Sequence, residues 1–412
     1  MTMDPVGERA PRLNAAMTAD VVVVGGGIGG LANALVLSRA GYEVRVLEQA
    51  AEFGEMGAGI QLAPNATRLM REWNLLDTVM KHGVRPRRAV LRDAIDGSEL
   101  TYLDLQDVER RYGAPYVVLH RTDLHAVLVE ACLQADVDLV TGVKVTELEV
   151  NDDGATAISA DRRDSGDLVL AADGLQSTLR RQISADEPVS AGFVAYRGTV
   201  PIAEVAAVTD VSADEVRFYI GPGCHLVQYA LRGSDTLNQV AVFESPSSAR
   251  REQNWGSPDE LESAFEGACE TVQRAIPFLG RDRWWQMCDR EPLDRWVDRR
   301  LALTGDAAHP MLQYLAQGAC QALEDADCLR RIIEGHYGAT RRSWSAARGS
   351  EWDQILQTYS AIRTVRAARV QSMSRFWGDI WHCDGLSRTI RNAMLRDRNP
   401  LDYRHVDWLY RQ

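Results

Sequence analysis

The chain has 412 residues and a formal net charge of −12 at pH 7, with 45% hydrophobic and 25% charged residues. That length supports a large core and two intimately joined domains, and the composition is that of an ordinary water-soluble protein. The acidic balance argues against nucleic acid or anionic membrane as a general partner, and the apolar runs are only strand-length, too short to span a membrane. Seven scattered cysteines without CxxC spacing suggest neither a metal site nor a disulfide framework, and place the chain in a reducing, cytoplasmic compartment.

Residues 1–18 contain Pro5, Pro11 and several charges but no apolar signal-like core, so they are expected to form a disordered tail. The β-branched run Val21–Val24 then suits a strand buried on both faces and leads into Gly25-x-Gly27-x-x-Gly30. Gly25 permits a tight turn, Gly27 lets the backbone approach a pyrophosphate, and Gly30 lets the following helix, Ile28–Ala40, sit close on the sheet. The helix start offers unpaired N–H groups and a positive dipole end. A second strand, Val44–Leu47, ends in Glu48, whose carboxylate can take both hydroxyls of an adenosine ribose. Together these parts form a βαβ unit for a dinucleotide.

Further along, a glycine-rich loop from Gly57 leads to a helix at Ala66–Trp73, and strands are expected at Ala89–Arg92 and Glu99–Leu103. A capped helix spans Leu124–Leu133. Strands follow at Asp138–Thr141, Val143–Val150, Ala155–Ala160 and Asp167–Ala171, the last ending at Asp173-Gly174. From Gly192 to Glu244 the pattern turns to long β runs: Phe193–Val200, Glu215–Ile220, His225–Leu231 and Leu237–Phe243. One amphipathic helix is expected over Pro258–Ala275. The buried strand Arg300–Thr304 ends at Gly305-Asp306, and from Gln321 to about Leu395 the chain is mostly helical. The aromatic-rich stretch from Trp377 to Trp408 has three uses: a cover over the site, packing in the core, or a homodimer interface.

Three segments in this order, Gly25–Gly30, Leu170-Ala-Ala-Asp173-Gly174 and Leu303-Thr-Gly305-Asp306-Ala-Ala-His309-Pro310, resemble the single-component FAD-dependent aromatic hydroxylases of the 4-hydroxybenzoate and salicylate hydroxylase type. The resemblance runs from about residue 19 to about residue 385. It implies an α/β fold: a discontinuous Rossmann-like FAD-binding domain (19–190, with β-segments near 89–118 on the substrate side, and 296–330), an inserted antiparallel β-rich substrate domain (191–295), and a helical C-terminal region (331–412). It also implies tightly bound FAD, held by Gly25, Gly27, Gly30 and Glu48. Asp306 would bind the ribityl chain, with Gln61 nearby. Gly318 and Ala319 would lie beside the flavin pyrimidine, Arg121 would reach the flavin side chain, and Asp173 and Gly174 would touch the pyrophosphate region.

Ring hydroxylation needs a base or strong hydrogen-bond partner at the substrate hydroxyl and exclusion of water. Strand alternation puts His225, Val227 and Tyr229 on one face. Gln313 stands where salicylate-type enzymes usually carry proline, a departure that resembles the 3-hydroxybenzoate 6-hydroxylase subgroup, as do Tyr196-Arg197-Gly198 and Asp282–Trp285. The subgroup implies conversion of a small aromatic acid, 3-hydroxybenzoate, to 2,5-dihydroxybenzoate (gentisate) through a C4a-hydroperoxyflavin, with NADH as transient reductant and O2 as co-substrate. His225 would deprotonate or polarise the substrate hydroxyl, Gln313 would position the hydroxyl or the peroxide, and Tyr229 would bind the carboxylate. A salicylate-type or tailoring hydroxylase acting on a related or larger phenolic acid is the alternative within the class, and a non-catalytic flavin-binding module the alternative outside it.

Overall fold

A computed structural model of the protein describes residues 17–54, 57–250, 255–337 and 350–411. Most of the expected disordered tail lies outside those residues, but its last two, Met17–Thr18, form a short strand parallel to Arg163–Gly166.

The four valines Val21–Val24 are buried, and each contributes roughly 1.5–3 kcal/mol relative to exposure. They form the centre of a six-stranded sheet whose order is Val297–Asp298, Leu301–Leu303, Leu168–Ala171, Val21–Val24, Val44–Leu47 and Asp138–Val140. All its pairings are parallel except that between Val297–Asp298 and Leu301–Leu303. The Ile28–Arg39 helix packs on this sheet against the Gly318–Tyr337 helix.

A second sheet of seven strands runs in the order Trp285–Asp289, Val189–Pro201, Thr236–Glu244, Cys224–Leu231, Glu215–Gly221, Arg88–Asp93 and Glu99–Asp104. It is antiparallel apart from one parallel pair, Glu215–Gly221 with Arg88–Asp93. Its two faces feed separate cores. Leu226, Ala241 and Phe243 pack with Leu261, Phe265 and Val272 on the outer side, whereas Val227, Tyr229, Val240 and Val242 join the main core that runs into the nucleotide sheet. The period-2 alternation therefore turns His225, Val227 and Tyr229 toward the inside of the molecule.

Three local expectations differ from the structure. The helix over Pro258–Ala275 is two helices, Pro258–Phe265 and Glu270–Ala275. Gly267 lies between them, and the Cys269 N–H leaves the helical ladder to donate to the Ala94 carbonyl at 2.7 Å. Of Val143–Val150 only Glu147–Val150 is strand, because the Val143 N–H donates to the Glu48 carbonyl and ties the chain to the nucleotide loop. The strand Arg163–Gly166 was not expected at all, since Arg-Asp-Ser-Gly carries no apolar alternation.

Beyond the nucleotide sheet the chain is helical, through Gly318–Tyr337, Ser350–His382, Gly385–Asp397 and Arg404–Tyr410. No described helix is long and apolar enough to cross a membrane.

The tightest backbone contact lies at Gly30, where an added Cβ would sit 1.9 Å from the Gly25 carbonyl oxygen. Gly30→Ala is expected to force the Ile28–Arg39 helix off the sheet and to cost about 3 kcal/mol, the upper end for overpacking. Urea unfolding measures this, and an unchanged midpoint would contradict the packing argument.

Candidate active site

The three glycine-containing signatures, far apart in sequence, meet at the start of the Ile28–Arg39 helix. Gly25 has φ +109°, and a Cβ there would lie 2.3 Å from the Ala172 carbonyl oxygen, next to Asp173. A Cβ on Gly29 would lie 3.5 Å from the Gly305 Cα. Gly27 caps the helix with no side-chain hydrogen bond, so the first N–H groups face outward for an anion. Glu48 accepts from the Gly26 N–H at 2.7 Å and from the Ala50 N–H at 2.8 Å, one bond per carboxylate oxygen. Each oxygen keeps further acceptor capacity, as a ribose diol requires.

Asp306 is exposed while its neighbours Gly305, Ala307 and Ala308 are buried, which leaves one carboxylate at the mouth of an apolar turn. Gly318 opens the Gly318–Tyr337 helix with no heavy atom within 4 Å of where a Cβ would be, and half-buried Ala319 follows it. Arg121 is the first residue of the Arg121–Gln134 helix, with its side chain against Gly57. Asp173 is committed to its own loop: it accepts from the Ser177 hydroxyl at 2.5 Å and the Thr178 N–H at 2.9 Å, beside Gly174 at φ +78°. An extended dinucleotide with a diol at one end and a polyhydroxyl chain at the other fits this open, glycine-lined path.

A buried ionic network fixes the Gly305-Asp306 turn. Asp325 accepts from the Gly305 N–H at 2.9 Å, the Thr304 hydroxyl at 3.2 Å, His309 Nε2 at 2.7 Å and Arg363 Nε at 2.7 Å. Its neighbour Glu324 pairs with Arg363 at 2.9 Å and Arg366 at 3.0 Å, and also accepts from Asn65. Burial alone would raise both carboxyls, yet His309 and Arg363 hold Asp325, and Arg363 and Arg366 hold Glu324, below the usual carboxylate range.

The second half of the site is the inner face of the seven-stranded sheet. His225 is 1% exposed and lies against Tyr314 and Trp381, with ring centroids at 5.4 and 5.1 Å. Its Nδ1 is 2.8 Å from Nε2 of His382, the last residue of the Ser350–His382 helix. Burial and the neighbouring His382 hold the His225 imidazole well below its ordinary 6.5, and burial with the Arg391 charge brings His382 down to about 3. Both rings are therefore neutral at pH 7.

Tyr229, on the same strand face, is 3% exposed and presses on Gly59, where an added Cβ would be 2.6 Å from the phenol oxygen. Burial raises its phenol, so it stays a proton donor. Gln61 lies between two tyrosines, accepting from the Tyr116 hydroxyl at 2.5 Å and bonding Tyr229. Gln313 sits in a short 3-10 turn, Gln313–Leu315, and its amide oxygen accepts from Arg197 at 3.4 Å.

Two residues given no role from the sequence enter the site here. Arg197 lies between Gln313 and Tyr229, its Nε without a hydrogen-bond partner among the described residues, and burial lowers its pKa. The Tyr196-Arg197-Gly198 motif was visible, but nothing local marked the arginine as inward-facing. His382 reaches His225 from 157 residues away. The aromatic C-terminal stretch divides: Trp381 is buried on His225, while Trp408 stacks with Arg369 farther off.

A flavin cradle joined to an enclosed, aromatic, polar-lipped sheet face defines the class as an FAD-dependent monooxygenase fold. A protein family described as FAD binding domain matches residues 18–374. The chain is 36% identical over 399 residues to a 3-hydroxybenzoate 6-hydroxylase of Polaromonas naphthalenivorans, covering 95% of each. It is 35% identical over 393 residues to a 3-amino-4-hydroxybenzoate 2-monooxygenase of Streptomyces cremeus, covering 95% of this chain and 94% of that one. Among solved structures, Klebsiella pneumoniae HpxO complexed with FAD and uric acid aligns with a TM-score of 0.79 at 26% identity, over 93% of both chains. The protein belongs to the FAD-dependent aromatic monooxygenases, with the α/β architecture and helical C-terminal region of that family.

Two outcomes follow from the site's electrostatics. Asp325→Asn keeps the shape but leaves Arg363 short of one counter-charge, and is expected to cost about 3 kcal/mol, as breaking a buried pair does. It should also weaken FAD retention, and both are read from denaturant unfolding and flavin absorbance of the purified variant. For the two histidines, the unfolded chain takes up protons below pH 6.5 while the folded chain resists, because burial and the neighbouring His382 keep His225 well below that value and burial with Arg391 brings His382 down to about 3. Their contribution to stability is thus present above 6.5 and lost as pH falls through that window. His382→Gln removes one of the two, so its unfolding midpoints should fall less steeply with pH than those of the wild type; parallel curves would contradict the assignment.

Proposed function

We propose that the enzyme hydroxylates 3-hydroxybenzoate para to its hydroxyl, giving 2,5-dihydroxybenzoate (gentisate), with NADH as a transient reductant and O2 as co-substrate. The observation that carries this reading is the buried face on which His225 and Tyr229 stand with Gln313 and the cation Arg197, polar groups that suit one carboxylate and one hydroxyl. FAD, held by Gly25, Gly27, Gly30, Glu48, Gln61, Arg121, Asp173, Gly174, Asp306, Gly318 and Ala319, supplies electron transfer from NADH and activation of dioxygen.

The remaining work falls to side chains. Arg197 supplies the counter-charge for the substrate carboxylate and Tyr229 donates to it. His225, neutral and bonded through Nδ1 to His382, presents Nε2 as the acceptor for the substrate hydroxyl proton, which pushes electron density to the para carbon. Gln313 orients the hydroxyl through its amide. Burial of His225 and Tyr229 keeps bulk water from the reacting atoms. The unit 191–295 is the substrate-binding part and 19–190 with 296–330 the FAD-binding part. Seven free cysteines support a reducing, cytoplasmic setting.

A second reading, an amino-substituted hydroxybenzoate as substrate, is supported by the similarity to the Streptomyces cremeus enzyme. A panel of hydroxy- and aminohydroxybenzoates, with products identified by mass and NMR and rates compared for NADH and NADPH, separates the two. The expected result is NADH oxidation stimulated by 3-hydroxybenzoate with gentisate as product. His225→Ala is expected to lower hydroxylation about 100-fold, the usual scale for a general base, while NADH oxidation runs on uncoupled. Wild-type coupling and rate in that variant would remove His225 from the mechanism.

A further inference from the structure

The His225–His382 contact has a direction. His225 is buried at 1% exposure, whereas His382 is half-buried at the end of its helix, so the pair leads from the closed face toward solvent. The two rings lie nearly parallel, 20° apart with centroids at 5.1 Å, and Phe193 stacks on the far side of His382 at 4.6 Å and 22°. The end of the helix is held in place by the Gly223 N–H, which donates to the His382 carbonyl at 3.1 Å. Arg391 donates to the Trp381 carbonyl at 2.6 Å and is itself 3.6 Å from Asp93. The contact is thus built from the strand, the helix end and a neighbouring helix.

We propose that His382 is a positioning residue that carries the substrate proton between His225 and solvent. This rests on the reading of His225 as the base. With His225 protonated on Nδ1 and donating to His382 Nε2, the substrate O–H proton passes to His225 Nε2. The Nδ1 proton passes to His382 Nε2, and the proton on the other His382 nitrogen passes to water. One proton enters and one leaves, with no electrons transferred and both rings neutral at the end. When the product phenolate takes its proton back from His225 Nε2, the same transfers run in reverse and restore the original tautomers.

Chemistry calls for such an outlet. A phenol holds its proton far more tightly than a buried imidazole depressed below 6.5, so His225 alone would share the proton and not remove it. Around the pair, the Tyr314 phenol, 5.4 Å from both rings, stays protonated through burial and the nearby Asp379 charge, and the Arg391 guanidinium, with Asp93 beyond it, opposes a resting positive charge on His382. The field therefore favours passage of a proton over its storage.

The test is proton release when 3-hydroxybenzoate binds the oxidised FAD-loaded enzyme, followed in weak buffer with a pH indicator by stopped flow, alongside coupling of NADH oxidation to product. Wild-type enzyme is expected to release a proton on binding. His382→Gln, which can accept from His225 but cannot pass a proton on, is expected to slow release at least ten-fold. His382→Ala is expected to be slow too and to recover with added imidazole, a rescue that a purely structural role would not give. Wild-type release rates in His382→Gln, with release lost in His225→Ala, would overturn the relay and leave the base assignment standing. Release that persists in His225→Ala, or is absent from the wild type, would overturn the base assignment and the relay with it.

Discussion

Glu324 and Asp325 are adjacent carboxylates with almost no contact with water, and each charge taken from water costs several kcal/mol unless it is met. Arg363 meets both, with Arg366 on the first and His309 on the second. Because Asp325 also takes the Thr304 and Gly305 donors, this one network joins the end of the nucleotide sheet, the first C-terminal helix and the long helix Ser350–His382. The long helix is clamped at Arg363, and about 28 Å farther on, at 1.5 Å per residue, it delivers Trp381 and His382 to the substrate face. Cofactor turn and substrate pocket are therefore parts of one rigid piece, set by ion pairs and not by the glycine loop alone.

What was legible in the sequence was local. Val21–Val24, Gly25–Gly30 and Glu48 announce themselves because strand, turn and helix follow one another within a single unit. Asp173-Gly174 and Gly305-Asp306 do so because each ends a strand. Alternation placed His225 and Tyr229 on one face correctly, since a strand has only two faces to choose from. What was not legible is long-range. Asp325 reads as one more acid on a helix, and its four partners come from two other segments, the 304–309 turn and the long helix. Arg197 and His382 have no local signature that aims them inward; only the meeting of the sheet with a helix end does. The helix expected at Pro258–Ala275 failed for the same reason, because a tertiary bond from Cys269 to Ala94 outweighs helical periodicity.

The buried arginines of this acidic chain are met by carboxylates: Arg45 by Asp164, Arg217 by Glu215, Arg290 by Asp186 and Arg300 by Asp353. Arg363 and Arg366 are neutralised within their network, Arg180 is buried against Asp186 and the Ala307 and Ala308 carbonyls, and Arg391 is spent on helix-end carbonyls and Asp93. Arg197 differs: its contacts are an amide at the edge of hydrogen-bond range and the face of Trp285. An anion entering the site thus meets the Arg197 charge, with Arg121 near enough to add to it.

The helix that ends in His382 has a further consequence for how such a site changes over time. Between the Arg363 clamp and His382 the backbone is continuous helix, so inserting or deleting one residue there would rotate His382 about 100° around the axis and shift it about 1.5 Å along it. The Gly223 bond that seats the helix end could not follow such a turn. Length variation is therefore closed to this segment, and diversification toward new aromatic acids must proceed by side-chain replacement on a frame of constant register.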